Sequence, residues 1–271
     1  MSNLLTRAVT GAIYVLSVVL AIFIHPKVTA IYFFIIAMMG LWEFYNIASK
    51  KEGITRANII GFLLAISVYW FFVGLSLHTN FVAICLFLIM LKIMALFIAE
   101  LYQKSENSFT NIAYTILGVI YVVVPLALTN LLVILHGEFS PMILMSVFIF
   151  AWCNDTFAYL TGMKFGKHKL FERISPKKTW EGWIGGFVFT IIAAIIVAYF
   201  SDALHTIDFI AIAVITSVFG TFGDLVESMF KRQFGVKDSG NILPGHGGIL
   251  DRFDILLVVL PIVFCYLLIR F

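Results

Sequence analysis

The sequence predicts an all-α, polytopic integral membrane protein with about nine transmembrane helices and a cytoplasmic N-terminus. Hydrophobic residues make up 62% of the 271 residues, charged residues make up 12%, and the mean hydropathy is +1.04. The charged fraction is about half that of a soluble globular domain. We therefore expect one membrane domain over residues 1–271, with a lipid bilayer as the solvent for most of its helices.

Each expected helix corresponds to an apolar run. A helix that crosses a hydrocarbon core of ~30 Å needs about 20 largely apolar residues. Polar breaks leave nine runs of roughly this length, at 8–25, 28–48, 58–77, 80–102, 110–135, 141–163, 183–200, 208–230 and 251–270. The run at 110–135 is long and contains Pro125, which predicts a tilt, kink or break. Residues 1–140 form an N-terminal helical part, and residues 141–271 contain two long polar loops, 164–182 and 231–250.

The basic residues predict the orientation, because loops rich in Lys and Arg stay on the cytoplasmic side. One alternate set of connections holds Arg7, Lys50, Lys51, Arg56, Lys104, six basic residues of loop 164–182 and three of loop 231–250. The other set holds Lys27 and Arg270. This asymmetry places the N-terminus and both long polar loops in the cytoplasm and the C-terminus outside.

Charge and cysteine content exclude several classes of protein. The net charge of +3 is small and dispersed, so no nucleic-acid partner is indicated. Cys85, Cys153 and Cys265 each lie inside an apolar run, which indicates neither a disulfide framework nor a zinc site.

Charged residues inside the apolar runs are energetically costly and need a reason. Glu43, Lys92 and Glu100 in the first half fit helix-to-helix pairing or a position near the interface. The acids of the second half each lie near a helix end that borders one of the long polar loops; they are Asp155, Asp224, Glu227, Asp251 and Asp254.

Two pairs of these acids are spaced three residues apart, 224 with 227 and 251 with 254, so each pair projects from one helix face. Like charges held together repel unless a cation compensates, and hard divalent ions prefer carboxylate oxygens. Ion pairs with Lys231, Arg232 or Arg252 are the alternative.

The segment between these pairs has residues suited to binding phosphate. Lys231, Arg232, Lys237 and Arg252 can neutralise phosphate oxygens. Gly245, Gly247 and Gly248 let the backbone approach an anion closely, and His246 lies among them. An ordinary surface turn with a histidine is the alternative for this glycine cluster.

The block resembles the signature of the phosphatidate cytidylyltransferases, also called CDP-diacylglycerol synthases. The similarity consists of Ser-x-apolar-Lys-Arg from Ser228, then Lys237-Asp238, then His246-Gly247-Gly248, then Asp251-Arg252-x-Asp254. It extends upstream to residues 154–159, 165–169 and 175–182, and so covers roughly the C-terminal half. Two positions depart from it: Phe157 stands where many relatives have a small residue, and Met163 where many have a basic one.

The resemblance implies that 141–271 is the catalytic part and that the chain transfers the cytidylyl group of CTP to phosphatidate in phospholipid biosynthesis. It implies metal-assisted, in-line attack of the lipid phosphate on the α-phosphate of CTP, with Mg²⁺ as cofactor; a second metal ion and a homodimer stay open. It also implies an inner (cytoplasmic) membrane location with the active site facing the cytoplasm.

The implied metal ligands are Asp224, Asp251 and Asp254, which share the catalytic role with Lys231, Arg232 and Arg252. The implied substrate-binding residues are Lys167, Ser175, Lys177, Lys178, Lys237, His246, Gly247 and Gly248, supported by Asp155 and Glu227 in an outer layer.

Two other functions fit parts of the pattern. A CTP-dependent lipid kinase would share the membrane setting and the nucleotide, but would release CDP and a lipid phosphate. A transporter would use midmembrane charges as a conduction path, although the charges cluster at one end and no inverted repeat is visible.

Overall fold

The structure is a computed structural model that describes residues 3–50, 59–103, 106–135, 137–242, 245 and 247–271. Its helices are α1 Asn3–Ile24, α2 Pro26–Ala48, α3 Ile59–Ser76, α4 Phe81–Tyr102, α5 Ser108–Gly118, α6 Val124–Leu132, α7 Pro141–Phe165, α8 Trp180–Phe200, α9 Thr206–Gln233 and α10 Leu250–Arg270. Two antiparallel hairpins pair β1 Ile134–Leu135 with β2 Glu138–Phe139, and β3 Lys169–Phe171 with β4 Ser175–Thr179. The predicted all-α, multi-pass class is confirmed.

Eight helical segments of the described residues are long and apolar enough to cross a membrane. They correspond to every predicted span except the first, where the apolar part of α1, Ala8–Ile24, is shorter. Large apolar side chains remain exposed along α4, among them Ile84, Phe87 and Leu91. Exposure of this kind suits a helix solvated by lipid. The cytoplasmic position of the N-terminus stays a prediction.

The long run that contains Pro125 is one span, Ser108–Leu132, interrupted by a π-helical segment at Val119–Val123. The Val124 N–H bonds to the Val119 carbonyl five residues back instead of four. Proline has no N–H to donate to the preceding turn, and a local π segment commonly accommodates such an interruption. The predicted irregularity is therefore present, and it begins before the proline.

The helices group into two compact units. Unit 1 comprises Met1–Phe139 and Phe234–Arg252, and unit 2 comprises Ser140–Gln233 and Phe253–Phe271. The first boundary lies beside the division expected near residue 140. Residues 234–252, which the sequence analysis assigned to the catalytic part, cluster with unit 1. The expectation of one membrane domain over the whole chain stays a prediction.

Unit 1 has a hydrogen-bonded interior. The buried Tyr69 hydroxyl donates to the Ala30 carbonyl at 2.8 Å and accepts from Asn130 Nδ2 at 3.1 Å. The Tyr45 hydroxyl donates to the Thr115 carbonyl at 2.8 Å. Each bond links residues of different helices.

Two charged residues within spans of unit 1 contact polar groups of neighbouring helices. Lys92 Nζ of α4 donates to the Leu63 carbonyl of α3 at 2.8 Å and to Ser67 Oγ. Glu100 Oε2 of α4 accepts from Asn111 Nδ2 of α5 at 3.3 Å. Helix-to-helix contact therefore accounts for both.

Unit 2 depends on close helix approach at small residues. A Cβ on Gly186 of α8 would lie 2.8 Å from the Asn154 carbonyl oxygen of α7, and a Cβ on Gly223 of α9 would lie 2.8 Å from the Asp254 carbonyl oxygen of α10. Ser217 Oγ of α9 also donates to Asn154 Oδ1 at 2.7 Å. These contacts bring the polar residues of α7, α9 and α10 together.

Candidate active site

Unit 2 contains a cavity of about 430 Å³. Its walls come from α7, the β3–β4 hairpin, α8 and α9, and combine apolar side chains with polar and charged ones. The lining residues are Asn154, Asp155, Ala158, Tyr159, Gly162, Met163, Leu170, Lys177, Lys178, Thr179, Gly182, Trp183, Thr221 and Asp224. Four of them, Asp155, Lys177, Lys178 and Asp224, were predicted as site residues from the sequence.

The β3–β4 hairpin is held by the first turn of α8. Glu181 accepts hydrogen bonds from the backbone N–H groups of Lys167 at 3.0 Å and His168 at 3.2 Å, and His168 Nδ1 lies 2.6 Å from the same carboxylate. Thr179 caps α8, because its hydroxyl accepts from the Gly182 N–H at 3.2 Å. A loop that would otherwise be free to move is thereby fixed at both ends.

The hairpin places the predicted basic residues at different positions. Lys177 is exposed and Lys178 is half-buried, and both line the cavity. Lys167 is exposed and Ser175 is half-buried at the start of β4; neither belongs to the cavity lining. Of the four, Lys177 and Lys178 are therefore the ones positioned to meet a ligand inside the cavity.

Asp224 forms an ion pair with Lys178 across the cavity wall. The two side chains are 28% and 27% exposed, so water reaches both. Asp224 Oδ1 also accepts from Ser228 Oγ, one helical turn further along α9, at 3.2 Å. Nothing in the sequence spacing indicates Lys178 as the partner of this carboxylate.

Unit 2 collects four carboxylates. Asp254 of α10 is half-buried and interacts electrostatically with Asp155, Asp224 and Glu227, while its Oδ1 accepts from the Ile255 N–H at 2.8 Å. The close approach at Gly223 is what allows α9 to present Asp224 beside α10. Carboxyl groups gathered in one region repel one another when ionised, and a cation relieves this repulsion.

Glu227 and Lys231 form a buried ion pair one turn apart on α9. Glu227 Oε2 lies 2.5 Å from Lys231 Nζ, and the side chains are 1% and 11% exposed. Pairing between these acids and the basic residues was the alternative left open by the sequence, and it holds for this pair. Arg232, the next residue, is exposed.

The remaining predicted residues belong to unit 1. Asp251 Oδ2 accepts from Ser239 N–H at 2.9 Å, Ser239 Oγ at 3.0 Å and Gly248 N–H at 2.8 Å. Gly247 has φ +86°, a conformation that favours glycine. Lys237 and Arg252 are exposed. The predicted residue His246 lies outside the described residues.

The predicted metal ligands Asp224, Asp251 and Asp254 are divided between the two units. Across the part of the chain that the structure describes, no group of three or more His, Cys, Asp or Glu side chains is placed to hold a metal ion. Asp224 and Asp254 lie in unit 2, whereas Asp251 lies in unit 1 with Oδ2 hydrogen-bonded within its own loop. The ligand set and Mg²⁺ therefore stay predictions.

Glu43 of α2 is a residue that sequence reasoning did not connect to the site. It is 0% exposed, and its carboxylate accepts from Ser239 Oγ at 2.8 Å, Ile249 N–H at 3.0 Å and Leu250 N–H at 2.9 Å. The only signal in the sequence was a charge inside an apolar run, which gives no partner 196 or more residues away.

Comparisons with known proteins give relatives over the whole chain and over parts of it. Residues 5–270 match the profile of the Cytidylyltransferase family. A protein of Haemophilus influenzae named phosphatidate cytidylyltransferase is 31% identical over 274 residues, which cover 94% of this chain and 95% of that protein. Proteins of the same name are 54% identical over 116 residues in Staphylococcus haemolyticus and 45% identical over 163 residues in Staphylococcus saprophyticus. These shorter matches cover 42% and 59% of this chain, and 45% and 60% of the relatives.

Proposed function

Because this chain belongs to the Cytidylyltransferase family, we propose that it transfers the cytidylyl group of CTP to phosphatidate, giving CDP-diacylglycerol and pyrophosphate. The observation that carries the proposal is the unit 2 cavity, where Lys177, Lys178 and Asp224 line a space bordered by membrane-spanning helices. Phosphatidate keeps its acyl chains in the bilayer and presents its phosphate at the interface, where a water-soluble nucleotide can also reach it.

The reaction suits a site of charged residues without a strong general base. An oxygen of the lipid phosphate attacks the α-phosphorus of CTP, the bond from that phosphorus to the β-phosphate bridging oxygen breaks, and pyrophosphate leaves with the electron pair. The attacking phosphate is already anionic at neutral pH, so no proton must be removed from it. The main difficulty is to bring two anions together, which requires positive charge and alignment.

Lys177 and Lys178 supply positive charge at the cavity. Lys178 is paired with Asp224. A nucleotide phosphate entering the cavity would compete for the Lys178 ammonium group, and because the pair is partly exposed the exchange should cost little. We infer that Lys178 moves its hydrogen bonds from Asp224 to a phosphate oxygen when CTP binds.

Asp224 and Asp254 are the residues of unit 2 that would hold Mg²⁺. Their oxygen donors fit its chemistry, because Mg²⁺ is commonly bound by one or two carboxylates together with substrate phosphates and water. When bound, the ion would neutralise phosphate charge. Release of Asp224 from Lys178 would leave the Asp224 carboxylate available as a ligand of Mg²⁺. Binding of a phosphate by Lys178 and binding of the ion by Asp224 would therefore favour each other.

The location and assembly follow from the same proposal. The charge asymmetry of the loops supports a cytoplasmic membrane protein whose site faces the cytoplasm, where CTP is found. Lys237, Gly247 and Gly248 of unit 1, together with His246, are proposed to bind substrate phosphates, as the family motif implies. A second metal ion and a homodimer stay open.

The test uses purified protein in mixed micelles with phosphatidate, Mg²⁺ and CTP labelled on one phosphate at a time. Cytidylyl transfer puts the α-phosphate label into the lipid extract and releases the γ-phosphate label as pyrophosphate. A lipid kinase given an alcohol acceptor would do the opposite. Lys178→Met should reduce lipid labelling, whereas Lys164→Met, which changes an exposed lysine at the end of α7 outside the cavity lining, should not. Absence of α-label from the lipid, with protein that is folded and inserted in the micelles, would refute the proposal.

A further inference from the structure

The buried carboxylate of Glu43 occupies an unusual position in unit 1. Among the described charged residues of the first half, it lies deepest, with 0% of its surface exposed. Its hydrogen-bond donors all come from the segment 239–250. Burial of a carboxylate is costly unless donors surround it. Three donors from one loop therefore tie that loop to α2.

Two of the donors are backbone groups at the start of α10. The N–H groups of Ile249 and Leu250 point at Glu43 Oε1 and Oε2, at 3.0 and 2.9 Å. The first N–H groups of a helix lack partners within the helix, and a negative charge near them is favourable. Glu43 thus acts as an N-terminal cap supplied by another helix, and it fixes where α10 begins.

The third donor connects Glu43 to Asp251. The Ser239 hydroxyl lies 2.8 Å from Glu43 Oε2 and 3.0 Å from Asp251 Oδ2. Because Asp251 Oδ2 also accepts from the N–H groups of Ser239 and Gly248, the two carboxylates hold the loop from either side. Any displacement of Glu43 is transmitted to Asp251 through one hydroxyl group.

Two glycines of the loop are required by this arrangement. A Cβ on Gly248 would overlap Ser239 Oγ and both Glu43 carboxylate oxygens, and a Cβ on Gly240 would overlap Glu43 Oε1. Gly248 belongs to the family motif seen in the sequence, so part of that motif is explained by contact with a residue about 200 positions earlier.

We propose that Glu43 is a positioning residue for nucleotide binding, acting through Ser239 on Asp251 and through the first N–H groups of α10. The proposal rests on the proposed function, because it treats Gly247, Gly248 and Asp251 as residues that act on CTP, as the family motif implies. Glu43 does not contact substrate. Its effect is to hold Asp251 and the adjoining glycine turn in a single arrangement before CTP arrives.

The test compares Glu43→Gln with Glu100→Gln, a matched variant that alters another buried carboxylate of unit 1 (3% exposed) bonded to Asn111. The amide of Glu43→Gln lacks the charge and places NH₂ against an N–H donor. Hydrogen exchange measured on peptides covering 239–252 should therefore quicken in Glu43→Gln and not in Glu100→Gln. The KM for CTP should rise about tenfold, since small displacements of positioned groups can have effects up to a hundredfold. The KM for phosphatidate should change less than about twofold, as expected if only the nucleotide side of the site is displaced.

Each outcome decides between positioning and simple packing. Faster exchange with an unchanged KM for CTP, or a KM equal to that of Glu100→Gln, would make Glu43 a packing residue and overturn the proposal. If Glu43→Gln fails to insert into the membrane, Ser239→Ala replaces it in the test. This variant removes only the bridging hydroxyl and should still raise the KM for CTP. A KM for CTP equal to that of the wild-type protein would overturn the proposal. Glu43→Asp, which keeps the charge on a shorter side chain, should recover part of the lost affinity. If the wild-type protein has no transferase activity, the proposed function fails; unchanged exchange in Glu43→Gln would then separately refute the positioning of the loop.

Discussion

Replacement of Lys231 by methionine should destabilise unit 2, because it leaves the Glu227 carboxylate buried without its cation. The atoms Glu227 Oε2 and Lys231 Nζ are 2.5 Å apart, and Glu227 is only 1% exposed. With an effective dielectric constant of about 20, two unit charges at this distance attract by roughly 7 kcal/mol. Most of that attraction is offset by the cost of removing both ions from water.

The measurable quantity is the cost of removing one partner. Loss of one member of a buried ion pair typically costs about 3–5 kcal/mol, whereas replacing both by apolar groups of similar volume is often close to neutral. We therefore expect Lys231→Met to lower the free energy of unfolding by about 3–5 kcal/mol, and Glu227→Leu/Lys231→Met to restore most of it. Unfolding in detergent micelles, followed by denaturant titration, measures both, with Lys164→Met as the exposed-lysine control.

The double variant also separates two roles for Lys231. If Lys231 serves only as the counter-ion of Glu227, transferase activity should return together with stability. If its ammonium group contacts a phosphate, as the family motif implies, the double variant should be stable and inactive. The reasoning from the buried pair is refuted if Lys231→Met unfolds at the same denaturant concentration as the wild-type protein.

Three further predictions follow from the site. Lys178→Met should raise the KM for CTP but change the free energy of unfolding by no more than about 1 kcal/mol, because the pair of Lys178 with Asp224 is partly exposed. Steady-state kinetics and denaturant titration of one preparation test both expectations, and a large loss of stability would contradict the proposed role of Lys178 in CTP binding. Gly223→Ala should lower the free energy of unfolding by about 1–3 kcal/mol, since its Cβ would lie 2.8 Å from the Asp254 carbonyl oxygen. The same titration measures this loss, with Phe222→Ala at an exposed neighbouring position as the control. A wild-type midpoint would show that α9 and α10 can move apart without cost. Orientation can be tested by cysteine labelling in a variant that lacks the three native cysteines. Lys177→Cys should react with an impermeant thiol reagent only after the membrane is opened, whereas Lys27→Cys should react in intact cells. Labelling of Lys177→Cys but not Lys27→Cys in intact cells would refute the predicted orientation.

The spanning helices could be predicted because their determinant is local. Each apolar run satisfies its backbone hydrogen bonds within itself, and its length is set by the thickness of the bilayer. Eight of the nine predicted runs are long apolar helices, and the first corresponds to Ala8–Ile24, the apolar part of the 22-residue helix α1. The β3–β4 hairpin was not predicted, because Lys169–Phe171 and Ser175–Thr179 are too short and too polar for a strand pattern. Its position depends on Glu181 of α8, which accepts from the Lys167 N–H before β3, and on Thr179 at the end of β4, which caps α8.

Contacts within the site could be predicted only where the two residues lie close together in the sequence. Glu227 and Lys231 are four residues apart on one helix, so their pairing was visible as an alternative before the structure. The pair of Asp224 with Lys178 joins α9 to a hairpin 46 positions earlier, and no periodicity relates them. The motif alone gave Lys231 a catalytic role and Lys178 a substrate-binding role, but it could not show how their surroundings differ. Lys231 is 11% exposed beside a buried acid, and Lys178 is partly exposed at a cavity.

The residues of the family motif also depend on a contact with a residue far outside the motif. The motif alone implies that Gly248 binds substrate and that Asp251 is a metal ligand. In the structure, the Gly248 N–H donates to Asp251 Oδ2, and the lack of a side chain at Gly248 leaves room for the Glu43 carboxylate. A constraint of this kind acts on the shape of the loop before any ligand is bound. Substitutions at Gly248 should therefore disturb loop geometry even in the absence of CTP, so exchange rates of the unliganded protein must be measured before a loss of activity there is assigned to a lost phosphate contact.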